Sequence, residues 1–222
     1  MKPLVLIADS QALEESDLFE KLYEAAPAYR KEKVDRFHFD SDKRLSLAAG
    51  TLLGIALREC GCDEAELTLC EGEYGKPYFK ELPALRFNLS HSGNRALCAV
   101  AESDIGCDVE LVKEYKEVIA KRFFHPSEIE HLADTPPNRI AREFYRLWTL
   151  KESYLKCTGI GLNVQLDSFG ILFDGEGRPY LPNGGYFFHE YSPRDGYRYS
   201  ICVAGDPEEP EFRLMDLKKQ GL

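Results

Sequence analysis

The chain has no long hydrophobic run. Its apolar stretches, such as residues 47–57, are short and interrupted, so no segment is expected to span a membrane. It lacks a second cysteine pair to complete a tetrahedral zinc set: Cys60-Gly61-Cys62 with Cys70 is the only cluster among seven cysteines. That odd number, scattered through apolar contexts, points to a reducing compartment, the cytoplasm. Positive charge is also short, with 28 Lys and Arg against 38 Asp and Glu and a net charge of −10, which argues against a nucleic-acid partner. There is no Gly-x-Ser-x-Gly, so Asn88-Leu89-Ser90-His91-Ser92-Gly93 is not a nucleophile elbow. The apolar stretch ahead of Asp9 is too short for a signal peptide and reads as a first strand.

What is present begins with a duplication. Gly75-Lys76-Pro77-Tyr78-Phe79 matches Gly177-Arg178-Pro179-Tyr180-Leu181 at an offset of 102, and Arg44-Leu45-Ser46-Leu47 matches Arg146-Leu147-Trp148-Thr149 at the same offset. Residues 96–101 echo 200–205 at an offset of 104. Three matches in one order predict two similar subdomains, 1–102 and 103–222. Each is expected to be a long helix (43–59 and 139–157) packed on a small sheet, an α/β (α+β) fold with pseudo-twofold symmetry. Strands are predicted at 67–69, 86–89 and 96–100, and again at 169–173, 186–189 and 199–203. Lys151, Glu152 and Lys156 align with Ala49, Gly50 and Gly54. Such one-sided charge is what a site between the halves would produce, although drift after duplication gives the same pattern.

Residues 105–111 alternate strictly, which puts Gly106, Asp108 and Glu110 on one face of a strand and Ile105, Cys107, Val109 and Leu111 on the other. Gly106 is expected to leave room for a ligand or metal. An exposed acidic edge strand gives the same pattern. Glu152 and Lys156 stand one helical turn apart, where a surface ion pair is the plain alternative. Taken together, Asp108, Glu110 and Glu152 offer hard oxygen ligands for magnesium, a pyrophosphate would complete the sphere, and Lys156 would neutralise a phosphate oxygen. Trp148 is read as a core anchor.

These segments resemble the 4′-phosphopantetheinyl transferases of the surfactin-synthetase-activating type over roughly residues 30–205. The resemblance rests on Tyr74-Gly75-Lys76-Pro77, Phe87-Asn88-Leu89-Ser90-His91-Ser92-Gly93, Gly106-Cys107-Asp108-Val109-Glu110, Arg122-Phe123-Phe124 and Trp148-Thr149-Leu150-Lys151-Glu152-Ser153-Tyr154-Leu155-Lys156. It implies magnesium-dependent transfer of the phosphopantetheine arm of coenzyme A to a serine of an apo acyl or peptidyl carrier protein, releasing adenosine 3′,5′-bisphosphate. Fatty-acid, polyketide and nonribosomal-peptide carriers, including those of antibiotic biosynthesis, all remain open, and the resemblance implies a monomer.

It also implies residue roles. Asp108, Glu110 and Glu152 would hold the metal, and Lys156 the pyrophosphate. Glu152 would double as general base, with Asp108 and Lys156 completing the catalytic set. Ser90 and His91 would contact the 3′-phosphate, Gly75, Lys76 and Pro77 would lie at the adenine, and Arg30 and Lys33 would add positive charge. Leu45 stands where the family shows an arginine, with Arg44 one place early. Lys113, Lys116, Lys121 and Arg122 around Phe123 and Phe124 would receive the acidic carrier. A hydrolase of nucleotide pyrophosphates, or a non-catalytic binding module, would use overlapping residues.

Overall fold

The aliphatic start of the chain forms β1 (Leu4–Asp9), with Leu4 to Ala8 all buried. It lies inside a four-stranded sheet, between β5 (Arg95–Ala101), antiparallel to it, and β11 (Glu211–Met215), parallel to it; β4 (Arg86–Ser92) closes the other edge. A second, antiparallel sheet places β10 (Tyr197–Ala204) between β6 (Ile105–Leu111) and β9 (Tyr186–Tyr191). Two small ladders pair β2 (Leu69–Glu71) with β3 (Pro77–Phe79), and β7 (Leu172–Phe173) with β8 (Pro179–Tyr180). The first half carries α1 (Ser16–Ala25), α2 (Ala28–Asp35) and α3 (Asp40–Glu59), and the second carries α4 (Glu117–Phe123), α5 (Pro126–Ala133) and α6 (Ile140–Thr158). This computed structural model describes residues 1–161, 164–205 and 208–219.

The order strand, short helices, long helix, small ladder, hairpin thus occurs twice, from β1 to β5 and from β6 to β10, and β11 returns to the first sheet. Strand alternation explains the layering. Leu4, Leu6 and Ala8 with Ala96, Cys98 and Val100 join the core under α3. Val5, Ile7, Leu97 and Ala99 face Ile105, Cys107, Val109, Ile201 and Val203 of the second sheet. On the far side of that sheet lies α6, whose Phe144, Leu147 and Leu150 share a third core with Phe124, Leu132 and Ile171. Leu47, Leu52, Leu53 and Leu57 of α3 are at most 1% exposed, and each contributes about 1.5–3 kcal/mol by that burial.

Local chemistry sets the ends of the elements. Gly159 ends α6 in the left-handed conformation, φ 69°, its N–H returning to the Leu155 carbonyl. His125 and Glu128 form a capping box on α5, with Pro126 in the first turn. Three expectations shift. The strand expected over 67–69 forms at Leu69–Glu71, where it pairs with β3. β4 runs on to Ser92, so Ser90 and His91 lie on a strand and the turn falls at Gly93 and Asn94. The strand expected over 169–173 shrinks to Leu172–Phe173, because the Phe169 carbonyl and the Ile171 N–H bond to Lys151 and Glu128 side chains instead of a ladder. Among the described residues no helix is long and apolar enough to cross a membrane.

Candidate functional site

The site is built where β6 meets α6 and the edge of β4. The alternation read from the sequence holds: Ile105, Cys107 and Val109 enter the core between the sheets. Asp108 and Glu110 lie across from Ser200 and Arg198 of β10, and Ser200 meets Thr149 of α6 at 2.8 Å between hydroxyls. Gly106 does not leave room for a ligand. A Cβ there would overlap the Ser153 carbonyl oxygen and the Cys157 amide nitrogen, so this glycine lets α6 sit directly on β6. Gly106→Ala should therefore push α6 off the strand, costing about 1–3 kcal/mol by overpacking. Chemical denaturation will measure it, and unchanged stability would remove this role.

Asp108 is buried, 3% exposed. Its Oδ1 accepts hydrogen bonds from Lys156 Nζ at 2.5 Å and Ser90 Oγ at 2.8 Å, while its Oδ2 is buried with no hydrogen-bond partner. Burial raises the Asp108 pKa against the opposing pull of Lys156. Burial works against the Lys156 ammonium as well, but Asp108, Cys107 and Glu152 outweigh it and raise its proton affinity. Glu110 accepts from Ser92 Oγ at 2.7 Å, and burial, reinforced by Asp108, lifts its pKa. Glu152 has no hydrogen bond or ion pair among the described residues, and burial followed by the Asp108 charge raises its pKa too.

That donor set fits a hard divalent cation. The three carboxylates are desolvated, two feel the charge of Asp108, and one oxygen of Asp108 is orphaned; a shared cation relieves each of these costs. Among the described residues no three metal-binding side chains are already gathered as a cluster. The Lys156 ammonium stands against Asp108 in this arrangement.

A cleft of about 250 Å³ opens beside these groups, lined by Tyr74, Gly75, Lys76, Pro77, Asn88, Glu152, Leu155, Lys156, Gly159 and Gly161. Gly75, Lys76, Pro77, Glu152 and Lys156 are thus brought to one place. The Lys76 ammonium is turned to protein, donating to the Cys157 carbonyl at 2.8 Å and the Ile105 carbonyl at 3.1 Å. It fastens the first half to the C-terminal end of α6.

Other expected ligands lie elsewhere. Arg30 is 5% exposed, bonded to Glu64 and Tyr29, and does not line the cleft. It fills the groove that Gly50 leaves open on α3, so the small residues of the first long helix admit an ion pair. Ser90 is buried against Asp108, so it is not a free phosphate donor; strand alternation turns His91 to the opposite, exposed side. Partial desolvation, then Lys33 and Lys156, lower the His91 pKa, which places Lys33 in its neighbourhood. Arg44 lies 3.8 Å from Glu14.

Lys151 is 1% exposed and bonds both Glu128 oxygens at 2.8 Å, so it belongs to a buried ion pair rather than to the cleft. Trp148 packs on Phe123, Phe124 and Phe144, as a core anchor should. Phe124 is 2% exposed and cannot be a docking residue; Lys113, Lys116, Lys121 and Arg122 are exposed, with Lys121 paired to Glu117 at 2.6 Å. Sequence reasoning missed Ser92, whose hydroxyl holds Glu110. The signal was its two-residue spacing from Ser90, opposite the spacing of Asp108 and Glu110.

Comparison with known proteins shows the family. Residues 104–202 match the 4′-phosphopantetheinyl transferase superfamily, and residues 14–103 match the family described as 4′-phosphopantetheinyl transferase, N-terminal. A 4′-phosphopantetheinyl transferase of Bacillus subtilis is 37% identical over 87% of this chain and 87% of its own. The 4′-phosphopantetheinyl transferase Sfp of Bacillus subtilis (strain 168) is 34% identical over 82% of this chain and 83% of its own. The 4′-phosphopantetheinyl transferase HetI of a Nostoc species is 34% identical over 81% and 79%.

Proposed function

The chain belongs to the 4′-phosphopantetheinyl transferases, and from that premise we propose that it moves the phosphopantetheine arm of coenzyme A onto a serine of an apo acyl or peptidyl carrier protein. The reaction is magnesium-dependent and releases adenosine 3′,5′-bisphosphate. The observation that carries this reading is a cleft walled by Gly75, Lys76 and Pro77 and lined by Glu152 and Lys156, with Asp108 bonded to Lys156 and near enough for its charge to act on Glu110 and Glu152.

Asp108, Glu110 and Glu152 would hold the cation. When bound, magnesium supplies charge neutralisation at the pyrophosphate. Coenzyme A lies along the cleft with its adenine against Gly75 and Pro77. Lys156, freed from Asp108, bonds a pyrophosphate oxygen as a point charge. Lys33 and His91, which neighbour each other outside the cleft lining, supply further positive or donor character to the 3′-phosphate.

Glu152 takes the proton of the attacking serine. The serine oxygen bonds to the β-phosphorus, the bond from that phosphorus to the bridging oxygen breaks, and adenosine 3′,5′-bisphosphate leaves. Most of the acceleration comes from in-line positioning and charge neutralisation. The enzyme acts as a monomer in the cytoplasm, and the exposed Lys113, Lys116 and Arg122 steer the acidic carrier.

Intact-protein mass spectrometry of an apo carrier incubated with the chain and coenzyme A is the direct test. One phosphopantetheine arm should appear with magnesium and vanish with EDTA. Coenzyme A cleaved without modification of any carrier would instead favour hydrolysis.

A further inference from the structure

β4 and β6 are edge strands of different sheets and share no backbone ladder. They are joined instead by β4 side chains on one face, at intervals of two residues. Asn88 Oδ1 accepts the Cys107 N–H at 2.9 Å. Ser90 Oγ accepts the Val109 N–H at 3.3 Å and donates to Asp108 Oδ1 at 2.8 Å. Ser92 Oγ accepts the Leu111 N–H at 3.3 Å and donates to Glu110 Oε2 at 2.7 Å. A hydroxyl has one proton to give. Both serines give it to a carboxylate, and each is held in place by the backbone it also serves.

We infer that Ser90 and Ser92 are positioning residues for the two strand carboxylates, so that the first half orients a metal site whose ligands all come from the second. The inference rests on the metal reading given above. Each serine fixes one carboxylate oxygen and leaves the other available. Asp108 Oδ2 has no partner, and Glu110 Oε1 makes no hydrogen bond among the described residues. This role gives Ser90 a carboxylate to hold in place of a phosphate. The site then exists only when the seam between the halves is closed in register, since a one-residue slip of β4 would turn both hydroxyls away.

Ser92 is the cleaner position to test, because Ser90 also meets Lys156 at 3.3 Å. The probe is Mn²⁺, titrated by electron paramagnetic resonance into the full chain with coenzyme A present and no carrier. Ser92→Ala is expected to weaken Mn²⁺ binding about tenfold or more, the usual effect of removing an outer partner of a metal ligand. Ser92→Thr, which keeps the hydroxyl, should restore binding to within about threefold. Melting temperature should fall by no more than about 8 °C in Ser92→Ala, since the two hydrogen bonds lost, to Glu110 and from the Leu111 N–H, are only partly buried. Unchanged Mn²⁺ affinity in Ser92→Ala, with the unaltered protein binding normally, overturns this inference alone. No Mn²⁺ binding by the unaltered protein overturns the metal reading, and this inference with it.

Discussion

Replacing Asp108 by alanine yields a folded protein whose carrier-modifying activity is lower by about 10³-fold or more, read as the arm gained per unit time in intact-mass measurements. The magnitude follows from how many functions meet on one carboxylate. Its Oδ1 holds Lys156 and Ser90, its Oδ2 is the orphan best placed to take a cation, and its charge raises the pKa of both Glu110 and Glu152. Removing it therefore takes away a carboxylate that would hold the metal and frees the lysine in one step.

The fold should survive, because two electrostatic effects oppose. A carboxyl whose folded-state pKa lies above its unfolded value withdraws stability as pH rises through that unfolded value, so at neutral pH the substitution relieves a burial cost. Lys156 has a raised folded-state pKa, so its stabilising contribution is present at neutral pH and depends on Asp108; that part is lost. Lys156 is 29% exposed and can turn to water. Asp108→Asn, which keeps an acceptor for Ser90, is the matched control and should melt within about 5 °C of the parent. Near-normal turnover in either variant would dismantle the site. A collapse in melting temperature would show that Asp108 is structural first.

The sequence made some of this site legible because strand and helix periods are geometric. Alternation over 105–111 put Asp108 and Glu110 on one face, and the spacing of Glu152 and Lys156 put them on one side of α6; both hold. Gly106 was misread because a missing side chain in a sequence does not say what fills the gap, and here it is the backbone of α6. The strand predicted over 86–89 stops short because polar residues beside a glycine suggest an earlier turn than the one at Gly93. Pairing with Leu97, Ala96 and Arg95 of β5 keeps residues 90–92 in the strand, and the Ser90 and Ser92 hydroxyls then serve the β6 edge. The family resemblance implies a phosphate role for Arg30, but the structure buries it in an ion pair. Its partner Glu64 lies 34 residues on in an acidic stretch, and nothing local announces the pairing. The duplication was readable from the Gly-x-Pro-Tyr matches, yet β11 returns to the first sheet, a crossing that no internal match predicts.

The same difficulty hid the role of Lys151, which sits in the middle of the most recognisable segment of the chain and yet serves the fold. Glu128 is buried, and its carboxylate accepts from Lys151 Nζ, the Ile171 N–H at 2.8 Å and the His125 N–H at 2.9 Å. The carboxylate thereby ties α5, α6 and the segment before β7 together. Glu128→Ala orphans two backbone donors and a buried ammonium at once. The expected loss is about 3–5 kcal/mol, the range for breaking a buried pair from one side, and a fall in melting temperature of roughly 10 °C or more. Lys151→Met should cost less, because the carboxylate left behind keeps its two backbone N–H donors, and methionine fills the space between Phe124 and Phe169. That ordering separates this account from one in which Lys151 serves the reaction. Assayed well below its melting temperature, Lys151→Met should keep transfer within about tenfold of the parent, since the lysine reaches the site only through the placement of α6. Loss of transfer with an unchanged melting temperature would move Lys151 into the active site, and an equal or larger stability loss than Glu128→Ala would mean the two backbone hydrogen bonds carry little of the pair's effect.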